Sequence, residues 1–188
     1  MSLLRRNVEA ATATLESLLA LEARVDEAAV LIASAFSAGR KLLACGNGGS
    51  AADAMHLATE LMVRFERDRR PYPALSLAAS SGDLTAIAND YAFADVFARQ
   101  VEGLGQPGDV LVAITTSGRS ENVRRALEVA RRRELKTIAL LGRDGGPSRG
   151  LADVELLVPS LATARIQEAH KVLIHTICES VEQRLAGC

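Results

Sequence analysis

His56 and Glu60 stand four residues apart, and a second polar cluster, Gln167, Glu168, His170, Lys171 and His175, lies near the end of the chain. An imidazole and a carboxylate at i,i+4 share one face of a helix, where they can relay a proton, hold a metal, or form a solvated stabilising pair. Moving a proton between adjacent carbons through an enediol needs such groups: a base beside the C–H bond and a second group that exchanges protons with the oxygens. Glu60 is the better carbon base if it is partly buried, and His175 suits oxygen or ring-opening proton transfer. A Zn²⁺ ion could instead polarise the two oxygens, although one carboxylate serving as both tight ligand and base would lose basicity. Gln167 and His175 are separated by about 12 Å along a helix axis and about 80° around it, so one metal bridges them only by sitting between them. Arg64 is a further candidate for a phosphate oxygen or sugar hydroxyl and Asp90 for orienting a base or binding hydroxyls, with surface charge and helix termination as their plainer readings.

Two loops supply groups that would hold an anion beside this chemistry. The stretch GNGGSAAD, Gly46 to Asp53, follows the apolar run Leu42 to Cys45 and precedes a helical pattern. Gly46, Gly48 and Gly49 allow close backbone approach, Asn47 and Ser50 add side-chain hydrogen bonds, and the amides of a helix start favour negative charge. Ser50 could also cap that helix. No lysine follows the glycines, which speaks against a P-loop, and GxGxxG with an acidic residue after the following strand is not met, which speaks against a dinucleotide fingerprint. The second loop, Thr115-Thr116-Ser117-Gly118-Arg119-Ser120, has four hydroxyls able to surround a phosphate, with Ser120 again a possible cap. One loop for the phosphate and one facing hydroxyls would suit a sugar phosphate.

The elements that must position these groups follow from apolar spacing. Residues 3 to 22 and Val25 to Phe36 read as two leading helices, stopped at Gly39. From Lys41 onward short apolar runs, Leu42–Cys45, Ala74–Ala78, Val110–Thr115, Thr137–Leu141 and Val154–Val158, read as strands. They alternate with helical stretches at Ala51–Arg67, Leu84–Ala88, Phe93–Leu104, Glu121–Arg133 and Arg165–Leu185. The core-facing stripe of the helix bearing His56 is expected at Ala51, Ala54, Met55, Ala58, Met62 and Phe65. This alternation predicts an α/β fold, a three-layer α-β-α sandwich around a five-stranded parallel sheet, with both loops at its carboxyl edge.

At 188 residues with 48% apolar composition the chain suits a single domain, residues 1–188, with residues 1–39 as a helical pair available for oligomerisation. A formal net charge of −1 gives no bulk reason for a nucleic-acid or membrane partner. The run Arg131 to Arg133 reads as positive charge closing a helix. Three cysteines, Cys45, Cys178 and Cys188, with no leader pattern and no long apolar span, read as a reducing, cytoplasmic setting.

The ordered motifs CGNGGSAADAMH (Cys45–His56), Glu60, AIANDY (Ala86–Tyr91), TTSGRSENV (Thr115–Val123), LLGRDGG (Leu140–Gly146) and RIQEAHKVLIH (Arg165–His175) resemble bacterial phosphoheptose isomerases, of the sugar-isomerase (SIS) fold superfamily. The resemblance spans essentially the whole chain. It implies an enzyme converting sedoheptulose 7-phosphate to D-glycero-D-manno-heptose 7-phosphate, with active sites at the subunit interfaces of a homotetramer. It places the catalytic pair on Glu60 and His175 and the metal positions, zinc in some members, on His56, Glu60, Gln167 and His175. It places substrate contacts on Asn47, Gly48, Gly49, Ser50, Arg64, Asn89, Asp90, Thr115, Thr116, Ser117, Ser120 and Gln167. Thr115 stands where serine is common in such proteins, which keeps the hydroxyl. The alternative is a noncatalytic SIS-fold sugar-phosphate-binding or replication-initiation regulator, against which the presence of both Glu60 and His175 speaks. A sensor domain of a transcription regulator lacks an accompanying DNA-binding module.

Overall fold

A computed structural model describes residues 1–186; Cys188 lies outside the described residues. The chain opens with α1 (Leu3–Glu16), a 3₁₀ segment (Ser17–Leu21) and α2 (Glu22–Ser37). The expected continuous helix over residues 3 to 22 is thus broken, its last turn tightening into the 3₁₀ segment that redirects the chain into α2. In α2 apolar residues recur at helical spacing, and Val25, Ala28, Ala29, Ile32, Ala33 and Phe36 are buried. None of the 14 residues of α1 is buried.

The sheet contains β1 (Leu42–Gly46), β2 (Ala74–Ser76), β3 (Val110–Thr115), β4 (Lys136–Gly142) and β5 (Val154–Val158), all parallel, in the order β2-β1-β3-β4-β5. β1 and β3 are buried throughout because helices cover both faces, which is why both read as unbroken apolar runs. Alternate residues supply opposite cores. Leu42, Ala44, Val110, Val112, Ile114, Ile138 and Leu140 meet α2, α3 (Gly49–Met62) and α7 (Thr163–Leu185). Leu43, Cys45, Leu111 and Ala113 meet α5 (Ala98–Leu104) and α6 (Glu121–Arg132). Short α4 (Ser81–Asp90) and a 3₁₀ turn at Phe93–Asp95 precede α5, so the expected single helix from Phe93 to Leu104 is two pieces. The three-layer α-β-α architecture and the parallel sheet are those expected.

The chain leaves β1 toward β2 on one side and returns to β3 on the other. β1 and β3 therefore flank the point where the winding reverses, and open parallel sheets bind ligands at the carboxyl edge of that point. Both small-polar loops emerge there. No helix among the described residues is long and apolar enough to cross a membrane.

Candidate active site

The glycine loop and the hydroxyl loop are joined by an amide pair. Asn47 Nδ2 donates to Asn122 Oδ1 at 2.8 Å, and Asn122 Nδ2 donates back to Asn47 Oδ1 at 2.8 Å. Asn122 is buried in the first turn of α6, and its Oδ1 also accepts from the Val123 amide at 2.9 Å. Asn122 was not among the residues expected at the site; the signal in the sequence is an amide placed at a helix start, where its side chain can serve the neighbouring loop. Asn47, expected to face substrate, spends two of its hydrogen-bonding groups on this bridge.

Neither expected serine cap forms. Ser50 is inside the first turn of α3 and buried, with Gly48 as the residue before the helix, and its amide already bonds Asn47 O at 3.0 Å. Ser120 precedes α6 without a capping bond; its hydroxyl lies 3.3 Å from Thr115 Oγ1. Thr115 is buried, and its hydroxyl accepts from the Gly118 amide at 3.2 Å, which makes it the brace of the loop. Ser117 Oγ accepts from the Arg119 amide at 3.2 Å. Thr116, Ser117 and Ser120 are half-buried, and the amides of Glu121 and Asn122 have no intrahelical acceptor, as at any helix start. Gly118 has φ +64° and lies against the Gly145 carbonyl so closely that a Cβ would overlap it.

α3 and α7 run side by side in the same direction, each launched from the sheet edge. Their facing residues climb in step: Gln167 against Gly49, Lys171 Nζ 2.8 Å from Asp53 Oδ1, and His175 Nε2 2.8 Å from His56 Nε2. His56 Nε2 is also 3.5 Å from Glu60 Oε1. Glu60 and His175, from separate helices, therefore reach one cluster with His56 as their common neighbour. The ring of Phe65 stands 5.5 Å from that of His175. Burial, reinforced by the Lys171 ammonium, holds His56 below the ordinary imidazole value against the opposing pull of Glu60. Cys178 lies close to Glu60, but burial pushes its thiol up to about 12, so it is neither nucleophile nor thiolate ligand near neutral pH. His170 is separate. Fully buried, its Nε2 is 3.3 Å from the Leu141 carbonyl, and burial lowers its pKa to about 4.

The buried stripe of α3 is Ser50, Asp53, Ala54, Leu57, Ala58 and Leu61, while Met55 and Met62 are exposed, a rotation from the expected stripe that keeps His56 and Glu60 at its margin. The helix ends at Met62 rather than Arg67. Arg64 consequently lies exposed in the following segment, where it donates to the Glu66 carbonyl at 3.5 Å, and not one helical turn beyond Glu60. Asn89 and Asp90 close α4 as an exposed pair bonded to each other at 2.8 Å. Gln167 does not join the histidines: its Nε2 rests where a Cβ on residue 49 would be, so glycine is needed there for the two helices to approach.

Two imidazole nitrogens and a carboxylate are donors of the kind zinc takes. In this arrangement the two rings contact each other, and among the described residues no three His, Cys, Asp or Glu side chains are grouped to hold a metal ion.

A parallel sheet with its reversal at β1 and β3, two small-polar loops there, and an imidazole-carboxylate cluster beside them define a sugar-isomerase-type domain. The SIS domain family matches residues 7–142. The phosphoheptose isomerase of Pelobacter propionicus is 56% identical over 160 residues, covering 85% of this chain and 84% of that protein. Among solved structures, a phosphoheptose isomerase from Neisseria gonorrhoeae superposes with a TM-score of 0.89 at 41% identity, covering 96% of this chain and 99% of that one. One from Francisella tularensis superposes with a TM-score of 0.93 at 38% identity, covering 97% and 100%. The chain belongs to the phosphoheptose isomerase family, and it is an enzyme of that class.

Proposed function

We propose that the chain interconverts sedoheptulose 7-phosphate and D-glycero-D-manno-heptose 7-phosphate through an enediol. The observation that carries this reading is the convergence of Glu60 and His175 beside His56, on helices that start from the sheet edge bearing both loops. The hydroxyls of Thr116, Ser117 and Ser120 and the first amides of α6 hold the phosphate, with Thr115 bracing them. The backbone of the glycine loop and Gln167 at the start of α7 face the sugar hydroxyls, with Ser50 buried behind that loop in the first turn of α3, while Asn47 fixes the spacing between the loops. Arg64, Asn89 and Asp90 are exposed, and the motif resemblance is what assigns them to the sugar. Glu60 removes a proton from C1 of the ketose, the electron pair forms the C1–C2 double bond, and the carbonyl oxygen at C2 takes a proton. Collapse of the enediol with proton delivery to C2 gives the aldose, and His175 exchanges protons with the two oxygens.

Zinc, where bound, would be held by His56, Glu60 and His175 only once the two rings part, with Gln167 reaching it only after leaving Gly49, and would supply Lewis-acid polarisation of the sugar oxygens. The exposed Leu3, Leu4, Val8 and Leu19 support docking of the leading helices on another copy, toward the homotetramer expected from the motifs. Light scattering of the purified chain tests this, and a monomer at micromolar concentration refutes it.

The activity is tested by NMR of the protein with sedoheptulose 7-phosphate in deuterated water, with and without a chelator. The expected product is the aldose phosphate carrying deuterium at C2. No turnover either with or without the chelator refutes the reading and favours a sugar-phosphate-binding regulator.

A further inference from the structure

Two helical turns beyond His175, α7 carries a buried carboxylate that the isomerisation does not use. Glu182 Oε1 accepts from the Phe65 amide at 2.8 Å and from Arg69 Nε at 2.8 Å, and Oε2 accepts from the amides of Glu66 and Arg67 at 3.1 Å each. Arg69 turns its remaining nitrogens back onto the end of α3. One donates to the Glu60 carbonyl at 2.8 Å and another to the Leu61 carbonyl at 2.9 Å. The guanidinium lies 4.0 Å over the Tyr72 ring, which stacks on Phe36 of α2 at 5.1 Å.

This network does more than end a helix. The last carbonyls of α3 have no intrahelical donor, and a single planar guanidinium satisfies two of them, one belonging to Glu60 itself. The three amides gathered by Glu182 fix residues 65 to 67, and the first of them carries the ring packed against His175. One carboxylate on α7 thus sets both the helix end from which Glu60 projects and the aromatic wall against which His175 rests. A buried carboxylate with four charge-assisted or backbone donors is a rigid support, because any displacement would strand its charge.

We infer that Glu182 and Arg69 are positioning residues for the reaction, holding Glu60 and His175 in register through the Glu60 carbonyl and the Phe65 ring. They touch no reacting atom, so their loss acts on the chemical step and not on sugar capture by the loops at the other end of the α3–α7 seam. A misplacement of about 1 Å in such a pair lowers turnover by about 100-fold.

The inference rests on the isomerase reading, and its test keeps the two apart. Steady-state kinetics with sedoheptulose 7-phosphate are measured for the unmodified chain, Glu182→Ala, Arg69→Gln and Phe65→Leu, each at a temperature where circular dichroism shows it folded. The His175 ring resonances are recorded in parallel by long-range ¹H–¹⁵N correlation. The expected result is a kcat lower by about 10- to 100-fold in Glu182→Ala and Arg69→Gln with KM within about threefold, and a smaller kcat loss in Phe65→Leu. The His175 resonances shift in all three. Folded Glu182→Ala or Arg69→Gln with kcat within twofold of the unmodified chain and unmoved His175 resonances would overturn the inference. Should both fail to fold, Phe65→Leu decides by kcat, because loss of the neighbouring ring current alone moves the His175 signals: unchanged kcat overturns the inference, and reduced kcat with KM within about threefold supports it. An unmodified chain without turnover overturns the isomerase reading instead, and the ring resonances alone then judge the support of His175.

Discussion

The reciprocal amide pair between Asn47 and Asn122 offers a quantitative check on how the two loops are held together. Replacing Asn122 with Ala removes both bonds across the sheet edge and the bond to the Val123 amide. With each hydrogen bond contributing about 0.5–1.5 kcal/mol net, the substitution should cost about 2–4 kcal/mol, and the upper part of that range applies if water cannot reach the freed Asn47 amide. For a domain of this size each kcal/mol lowers Tm by about 2–4 °C, so a drop of about 5–15 °C is expected. The cleaner number is the coupling. In a cycle of Asn47→Ala, Asn122→Ala and the double variant, the Val123 bond cancels and the pair itself remains, at about 1–3 kcal/mol. Urea unfolding of the four proteins provides the stabilities, and isothermal titration with the sugar phosphate reports whether the loops still bind together. A coupling below about 0.5 kcal/mol, within ordinary additivity, would refute the bridge as the element that sets the spacing of the loops.

Glu60→Gln should preserve the fold, because shape is kept, while abolishing turnover; retained activity in the NMR assay refutes Glu60 as the carbon base. Gly118→Ala places a Cβ at φ +64° against the Gly145 carbonyl, so a loss of at least about 1–2 kcal/mol in urea unfolding is expected together with weaker sugar-phosphate binding; wild-type stability would show that the loop yields freely. Ser120→Ala should raise KM for the phosphorylated sugar with little change in kcat, and unchanged KM counts against the hydroxyl loop as phosphate holder. The Glu182 carboxyl is raised by burial but more than compensated by the Phe65, Arg67 and Glu66 amides and Arg69, so its folded pKa lies below the ordinary carboxylate value. Its contribution to stability is full above that ordinary value and is lost as pH falls through the lower folded one. Acid unfolding of Glu182→Gln should therefore lack part of the acid-side slope seen in the unmodified chain, and parallel curves would refute this.

The strands were legible because both faces of a parallel sheet are covered, so each central strand is a short unbroken apolar run between turn residues. The glycine and hydroxyl loops were legible from their dense glycines and hydroxyls at strand-to-helix crossovers, although the same residues also suit ordinary capped turns. Spacing alone joined only His56 to Glu60; His175, on a separate helix, was joined to them by the resemblance of the ordered motifs, and the contact itself is visible only once α3 and α7 lie side by side. What the sequence hid were effects with distant partners. The apolar spacing of α3 continues to Phe65, yet the helix stops at Met62 because Glu182, far along the chain, takes the next amides and Arg69 takes the last carbonyls. Ser50 and Ser120 look like caps locally, but one is drawn into its helix and the other turns to Thr115. Gln167 falls on the side of α7 that meets Gly49, a contact set by the approach of two helices that no local pattern encodes.

The parallel seating of α3 and α7 ties the lengths of two remote stretches of chain to each other. One residue added between Gly49 and His56, or removed between Gln167 and His175, would swing the histidine beyond it by about 100° and slide it about 1.5 Å relative to its unmoved counterpart. These two segments behave like matched rulers, and a shift in one has to be answered by an equal shift in the other.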